Sequence, residues 1–374
     1  MLTDQDRHNL DRHLTQASQL FKQRCSGWQS GMSTKQAYSI EQRLFPSIQV
    51  LSNHAEELFV DSWPGAPWQL KVAIIAAIRC EDVAVFNSAL DVLAENISAD
   101  ETQEFSQLLW LAMPCEISKE KLQALTDHPL LNHFSESEFS KLLWPEETIR
   151  KLVGHLGISL PYWLEESDQL KYSERSVVLR DLIQQKPHAS RQLMDWLEGS
   201  QSDADEWQWL TLTEDDVATE LYFKHCLQNP AHLTAASYRG TANFLGRLTQ
   251  CFLISAQAES AAYAVENILG VSVEWKHSMT DAKTGEPISS SPLQPVMPVD
   301  INAGNRLQLG GRCSTALTLA DWLLDQPSAL QTLGWYHLGQ ALGRAIPDYS
   351  HHWVTNQWQF LQTNIDVPEV IHEV

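Results

Sequence analysis

Apolar residues recur at helical spacing along most of the chain. Leu10, Leu14, Ala17 and Phe21 stand at i, i+4, i+7 and i+11, and Ile40, Leu44, Ile48, Leu51, Ala55 and Leu58 trace a second stripe over about five turns. Each stripe predicts one buried face of an amphipathic helix. Start signals agree: Ser33 with Gln36 and Ser135 with Glu138 have capping-box spacing, and Pro145 ahead of "EETIRKLVGHL" suits a first helical turn. The stretch "WQLKVAIIAAIRCEDVAVFNSALDVLAEN" reads as a nearly all-apolar helix, a polar turn at Cys80-Glu81-Asp82 and a second helix with Phe86, Leu90 and Leu93 in register, an αα-hairpin.

Further helix pairs are predicted around 101–127, 136–157, 174–199 and 214–268, with no fixed period. The pattern predicts an all-α fold: an irregular HEAT-like α-solenoid of helix pairs over 1–275, of which 1–60 is the N-terminal pair. A Ser-, Pro- and Gly-rich stretch at 276–305 predicts a linker or mobile loop, followed by a small C-terminal helical unit at 306–374. Just before the loop, "AESAAYAVENILGVSVEW" predicts a closely packed helix of small residues ended by Gly270, with Trp275 anchoring the exit.

Charge singles out one segment. Between Arg191 and Lys224 there are nine acidic residues and no Lys or Arg, centred on "SQSDADEWQWLTLTEDD". It reads as an exposed acidic loop, in which the alternation at Trp207 and Trp209 suits a short strand. Asp203, Asp205, Glu206, Glu214, Asp215 and Asp216 are candidates to attract a basic surface, with Trp207 and Trp209 as buried anchors. The competing reading is a solvated loop pinned down by its two tryptophans.

Over its 374 residues the chain carries 47 acidic and 26 basic side chains, a formal charge of −21 that repels phosphate backbones and argues against nucleic acid as a partner. No apolar run approaches the roughly 18–20 residues that span a bilayer, and "MLTDQDRHNLDRHLTQ" lacks the apolar centre of a secretory signal, so the expected location is the cytoplasm. The six cysteines are scattered singly, without CxxC pairs, and most are expected as small buried hydrophobes.

Motifs of catalysis are missing: no HExxH, P-loop, GxSxG or paired CxxC occurs. His351-His352, His225-Cys226, Glu56-Glu57 and Asp215-Asp216 are adjacent pairs, and side chains at i and i+1 on a helix diverge. No catalytic, cofactor-binding or metal-ligating residue is therefore assigned.

Three segments resemble a family of bacterial HEAT-repeat-like proteins whose genes accompany type VI secretion clusters. The segment "HLTQASQLFKQRCSGWQSGMSTKQAYSIEQRLFPSIQVLSNHAEELF", with Arg24 and Glu41-Gln42-Arg43-Leu44, is similar to the family's opening helix pair. "ESAAYAVENILGVSVEW" is similar to its glycine-ended repeat helix, and "NRLQLGG" with "HHWVTNQWQFLQ" to its closing segment. Ser47 stands where the family commonly has a histidine. The resemblance implies a non-enzymatic cytoplasmic protein-binding scaffold of a type VI secretion system, acting on an effector as an immunity protein or chaperone. The implied partner is a basic effector or a spike or adaptor component. The alternatives are a baseplate, spike-assembly or effector-loading adaptor, and an enzyme on a helical-repeat scaffold.

Overall fold

The computed structural model describes residues 3–59, 64–96, 108–109, 111–113, 117–133, 144–165, 171–199, 204–277, 284, 293–296, 308–309, 312–313, 315–326, 328–350 and 352–365. Ser135, Glu138 and His351 lie outside the described residues, as do 278–283, 285–292 and 297–307 of the Ser- and Pro-rich region. The fold is mostly helical, and none of the described helices is long and apolar enough to cross a membrane.

The chain opens with helices Asp4–Gln29 and Thr34–Asn53 packed on each other. Both start in capping boxes, Thr3 with Asp6 and Ser33 with Gln36. Leu10, Leu14, Ala17 and Phe21 meet Ile40, Leu44, Ile48 and Leu51 in one core, as their spacing predicts. The second stripe is broken at His54, which caps its helix before the short helix Ala55–Phe59 resumes. The hairpin Pro67–Arg79 and Val83–Asn96 completes this layer, and Asp82 Oδ1 accepts from the N–H groups of Ala84 and Val85 at 2.7 and 3.0 Å. Helices Lys119–Asp127 and Glu146–Leu156 follow; Pro145 occupies the N-cap itself, one position ahead of the expected first turn.

A second core gathers helices Glu174–Ile183, Ala189–Gly199, Asp216–Cys226, Ala242–Cys251 and Ala258–Leu269 around helix Ser328–Leu342. This central helix buries Leu330, Leu333, Trp335, Tyr336, His337 and Leu338 over successive positions, so apolar side chains point inward on more than one side of it. Gly334 lets it approach: a Cβ there would meet Tyr238 Oη and Leu323 Cδ1, each at 2.4 Å. The C-terminal helices Ala316–Leu323 and Val354–Ile365 give Leu319, Leu323 and Leu361 to the second core, while Trp353 enters the first.

Part of the expected 276–305 loop is strand. Glu274–His277 pairs antiparallel with Leu293–Val296, placing Trp275 opposite Pro295, and Gln308–Leu309 pairs with Arg312–Cys313. Trp275 is 42% exposed, so it does not act as a buried anchor.

Helix Ala258–Leu269 buries Ala258, Ala261, Ala262 and Ala264, and packs on the 3-10 segment Pro230–Tyr238. Gly270 ends it in the left-handed region, φ 67°, its N–H donating to the Glu266 carbonyl at 2.8 Å. A Cβ crowds the carbonyl in that conformation, so Gly270→Ala is expected to cost about 1–2 kcal/mol. Urea unfolding of the two proteins measures this, and equal midpoints would refute it.

Candidate functional site

The acidic-aromatic segment is neither strand nor free loop. Ala204–Leu212 is a 3-10 helix, in which positions i and i+2 lie about 240° apart, so the two tryptophans leave in different directions. Trp209 is buried, stacked on Trp196 with centroids 5.6 Å apart, and meets Tyr336 edge-on at 6.2 Å. Trp207 is half-buried and stacks on His225 at 4.7 Å and 2°. Glu206, expected on the surface, is buried and holds Arg175 at 3.3 Å, while the same guanidinium lies over Trp209. Asp215 caps the next helix, its Oδ1 accepting from the Val217 and Ala218 N–H groups at 2.8 and 3.1 Å.

Glu214 is exposed beside Arg239 at 3.7 Å, and Asp216 is exposed with Asn243 Nδ2 donating to it at 3.5 Å. Asp203 and the side chain of Asp205 lie outside the described residues. Of the predicted surface, Glu214 and Asp216 are therefore displayed, whereas Glu206 and Trp209 build the interior.

The feature that faces outward lies one helix further on. A groove of about 570 Å³ lies at helix Asp216–Cys226 and is also lined by Met194 and Glu198 of helix Ala189–Gly199 and by Arg247, Gln250 and Cys251 of helix Ala242–Cys251. The helix contributes Val217, Glu220, Leu221, Phe223 and Lys224, its C-cap adds Leu227, and Ile254 and Gln257 complete the lining. Three of the seven large apolar side chains exposed among the described residues line this groove: Val217 (64%), Leu227 (61%) and Ile254 (42%). Single exposed leucines are ordinary on a protein surface, but a cluster with polar rims marks an interaction site.

Beneath it the groove is rigidly supported. Tyr222, Phe223 and Phe244 pack ring against ring with centroids 5.2–5.9 Å apart, and Gln257 Nε2 donates to the Cys226 carbonyl at 2.9 Å. On the rim, Arg247 Nη2 donates to Glu220 Oε1, which lowers the Glu220 pKa and raises that of Arg247.

The titratable groups nearby favour packing over chemistry. Burial pushes the Cys226 thiol up to about 12, so it stays protonated at neutral pH. Its neighbour His225 turns instead to Trp207 and to His232, with His225 Nε2 and His232 Nδ1 3.0 Å apart. Burial and the second imidazole both lower the His225 pKa. Burial raises the Cys251 thiol as well. Among the described residues no three His, Cys, Asp or Glu side chains converge as metal ligands.

The residues of the opening segment have a structural role. Arg24 Nε meets Glu41 Oε1 at 3.0 Å, and Arg24 Nη2 donates to the His352 carbonyl at 3.1 Å. Glu41 Oε2 accepts from the Val354 N–H at 2.9 Å, and Trp353 Nε1 donates to the Leu111 carbonyl at 2.7 Å. The pair thus clasps residues 352–354 onto the N-terminal helices. Ser47 Oγ lies 3.2 Å from His13 Nδ1, so a histidine is present at this spot from the other helix. Comparison of the chain with protein-family models, with curated proteins and with solved structures gave no match.

Proposed function

We propose that the protein is a non-enzymatic, cytoplasmic protein-binding scaffold that docks a basic protein partner in the groove along helix Asp216–Cys226. The observation that carries this reading is the gathering of the exposed Val217, Leu227 and Ile254 in one groove on the surface of a chain with a charge of −21. Desolvated apolar anchors supply most binding energy, and an acidic surround speeds encounter with a basic surface. The resemblance of the opening and closing segments supports placing the scaffold in a type VI secretion system, as an immunity protein or chaperone for an effector. The packing of successive helices, Asp4–Gln29 on Thr34–Asn53, Pro67–Arg79 on Val83–Asn96, Glu174–Ile183 on Ala189–Gly199 and Ala242–Cys251 on Ala258–Leu269, supports the irregular HEAT-like reading of the fold.

The test pairs the purified chain with the basic proteins encoded beside it, by titration calorimetry. A stable complex is expected with one of them, and Val217→Ser with Leu227→Ser is expected to weaken it at least ten-fold, since each interface anchor commonly contributes more than about 1 kcal/mol. An unaltered affinity in that double variant would sink the groove as the docking face. Deleting the gene separates the roles: loss of all secretion points to assembly, and sensitivity to one toxin points to immunity.

A further inference from the structure

We propose that His225 and His232 form a proton-operated latch between the end of helix Asp216–Cys226 and the 3-10 segment Pro230–Tyr238. The latch stays closed while the two rings together carry one positive charge or none, and it opens when both are charged. It works independently of what the groove binds.

The contact itself sets the limit. His225 Nε2 and His232 Nδ1 lie 3.0 Å apart, with the ring centroids at 5.1 Å. Two ring nitrogens approach this closely when one carries a hydrogen and the other offers a lone pair. A neutral pair meets that condition. A singly charged pair meets it too, with a charge-assisted and stronger hydrogen bond. A doubly charged pair has two N–H groups aimed at each other and two like charges side by side, so the contact does not survive the second proton.

The rings close a turn whose backbone is fixed elsewhere. The Gln228 and Asn229 N–H groups donate to the His225 carbonyl at 3.0 and 3.2 Å, and the Tyr222 hydroxyl donates to the His232 carbonyl at 2.6 Å. Opening is therefore a movement of side chains on a held backbone. Both histidines are half-buried, within reach of solvent protons. Trp207 lies flat on His225 at 4.7 Å, so the state of the pair is passed to the acidic-aromatic segment Ala204–Leu212.

The charged groups of the packed elements are mostly engaged among themselves. On the same helix Lys224 is exposed and Glu220 is held by Arg247. The segment Ala204–Leu212 carries Asp205 and also Glu206, which holds Arg175. Pro230–Tyr238 ends at Arg239, beside Glu214. Packed on that segment, helix Ala258–Leu269 carries Glu259 and Glu266, the latter accepting from the Val273 N–H, and helix Ser328–Leu342 brings His337, bonded to Thr211. Burial first, and then the His232 charge, hold His225 below the usual histidine range, so the second proton is the one the fold resists.

The test is a pH titration of the full chain with isotope-labelled histidine nitrogens, followed by magnetic resonance, with H225Q and H232Q identifying the two rings. At neutral pH a scalar coupling between His225 Nε2 and His232 Nδ1 is expected across the shared hydrogen. The pair should take up protons in two steps more than about one pH unit apart, because the sites are coupled. The coupling should persist through the first step and vanish at the second. Acrylamide quenching of Trp207, read as wild type minus W207F, should rise at that second step, while far-UV circular dichroism stays unchanged. In H232Q, His225 should titrate in one step and the Trp207 signal should show no such rise.

Four results would each overturn the latch, and the wild-type titration alone can deliver all of them. They are no coupling at neutral pH, independent one-step titration of the two rings, a Trp207 signal that does not move at the second step, and loss of the far-UV signal at that step. The last would make the pair part of the global fold and not a local latch.

Discussion

Arg24→Ala is expected to destabilise the protein by about 3–5 kcal/mol at neutral pH, a large share of a typical folding free energy. The side chains of Arg24 and Glu41 are 4% and 0% exposed, so removing the guanidinium leaves a carboxylate in the interior with backbone N–H donors but no counter-charge. Trp28 and Trp353, 5.2 and 5.1 Å from the guanidinium carbon, also lose their cation. Replacing both partners, Arg24→Met with Glu41→Leu, is expected to cost much less than either single change, because no charge is then stranded.

The sign with pH follows from Glu41, whose pKa burial already raises against the opposing pull of Arg24. A raised carboxyl pKa favours the folded state only while the group is protonated, so that contribution is full below the unfolded value near 4.3 and is lost as pH climbs. Without Arg24 the raised pKa goes higher still, and the penalty of Arg24→Ala should therefore shrink as pH falls toward about 4. Urea unfolding of wild type, both single variants and the double variant at two pH values measures the coupling; additive single effects would show that the pair is not the clasp described.

The second large effect is an acid dependence centred on His337. This imidazole is buried in the central helix, hydrogen-bonded through Nε2 to Thr211 Oγ1 at 3.2 Å and stacked on Tyr238 at 4.8 Å. Burial, aided by the nearby Arg239 charge, pushes its pKa down to about 3. The unfolded chain takes up this proton below about 6.5 and the folded chain does not, so stability rises with pH through that window. On acidification from about pH 6.5 toward 3 the site forfeits on the order of 4 kcal/mol.

His337→Gln removes the titration while keeping a polar side chain. It is expected to be less stable than wild type near pH 7 and to overtake it near pH 4, an inversion read from urea midpoints along a pH series. His225, also lowered, acts in the same direction, which is why the difference between the two proteins, and not the wild-type curve alone, isolates His337. Parallel curves would rule out a buried neutral imidazole.

What could be read from the chain was what is periodic and local. The stripes at Leu10 and Ile40, the Ser33 cap, the turn at Asp82 and the Gly270 stop each depend on neighbours within a few positions, and each has a sequence signature. The segment around Trp207 misled because alternation over three residues does not distinguish a strand from a 3-10 turn, and the burial of Glu206 depends on Arg175, thirty-one positions earlier. Helix Ser328–Leu342 was visible as a helix, but its place at the centre of the second core was not, since even hydrophobicity around a helix has no preferred direction.

The groove left no local signal either. Its residues come from four elements between 194 and 257, and Val217 and Leu227 look in the sequence like any apolar positions on a helix. The clasp is further still from local reading, joining Arg24 to a carbonyl 328 residues away.

That separation fixes an order of events during synthesis. At about 5–20 residues per second, the ribosome needs on the order of tens of seconds to travel from Arg24 to His352. Through that interval the socket that Phe21, Phe45 and Arg79 form around Trp353 stands unfilled, and the Glu41 carboxylate still lacks the Val354 N–H. The first core to emerge thus waits for a segment made near the end of synthesis, and neither core has all its side chains until the helix Val354–Ile365 has left the ribosome.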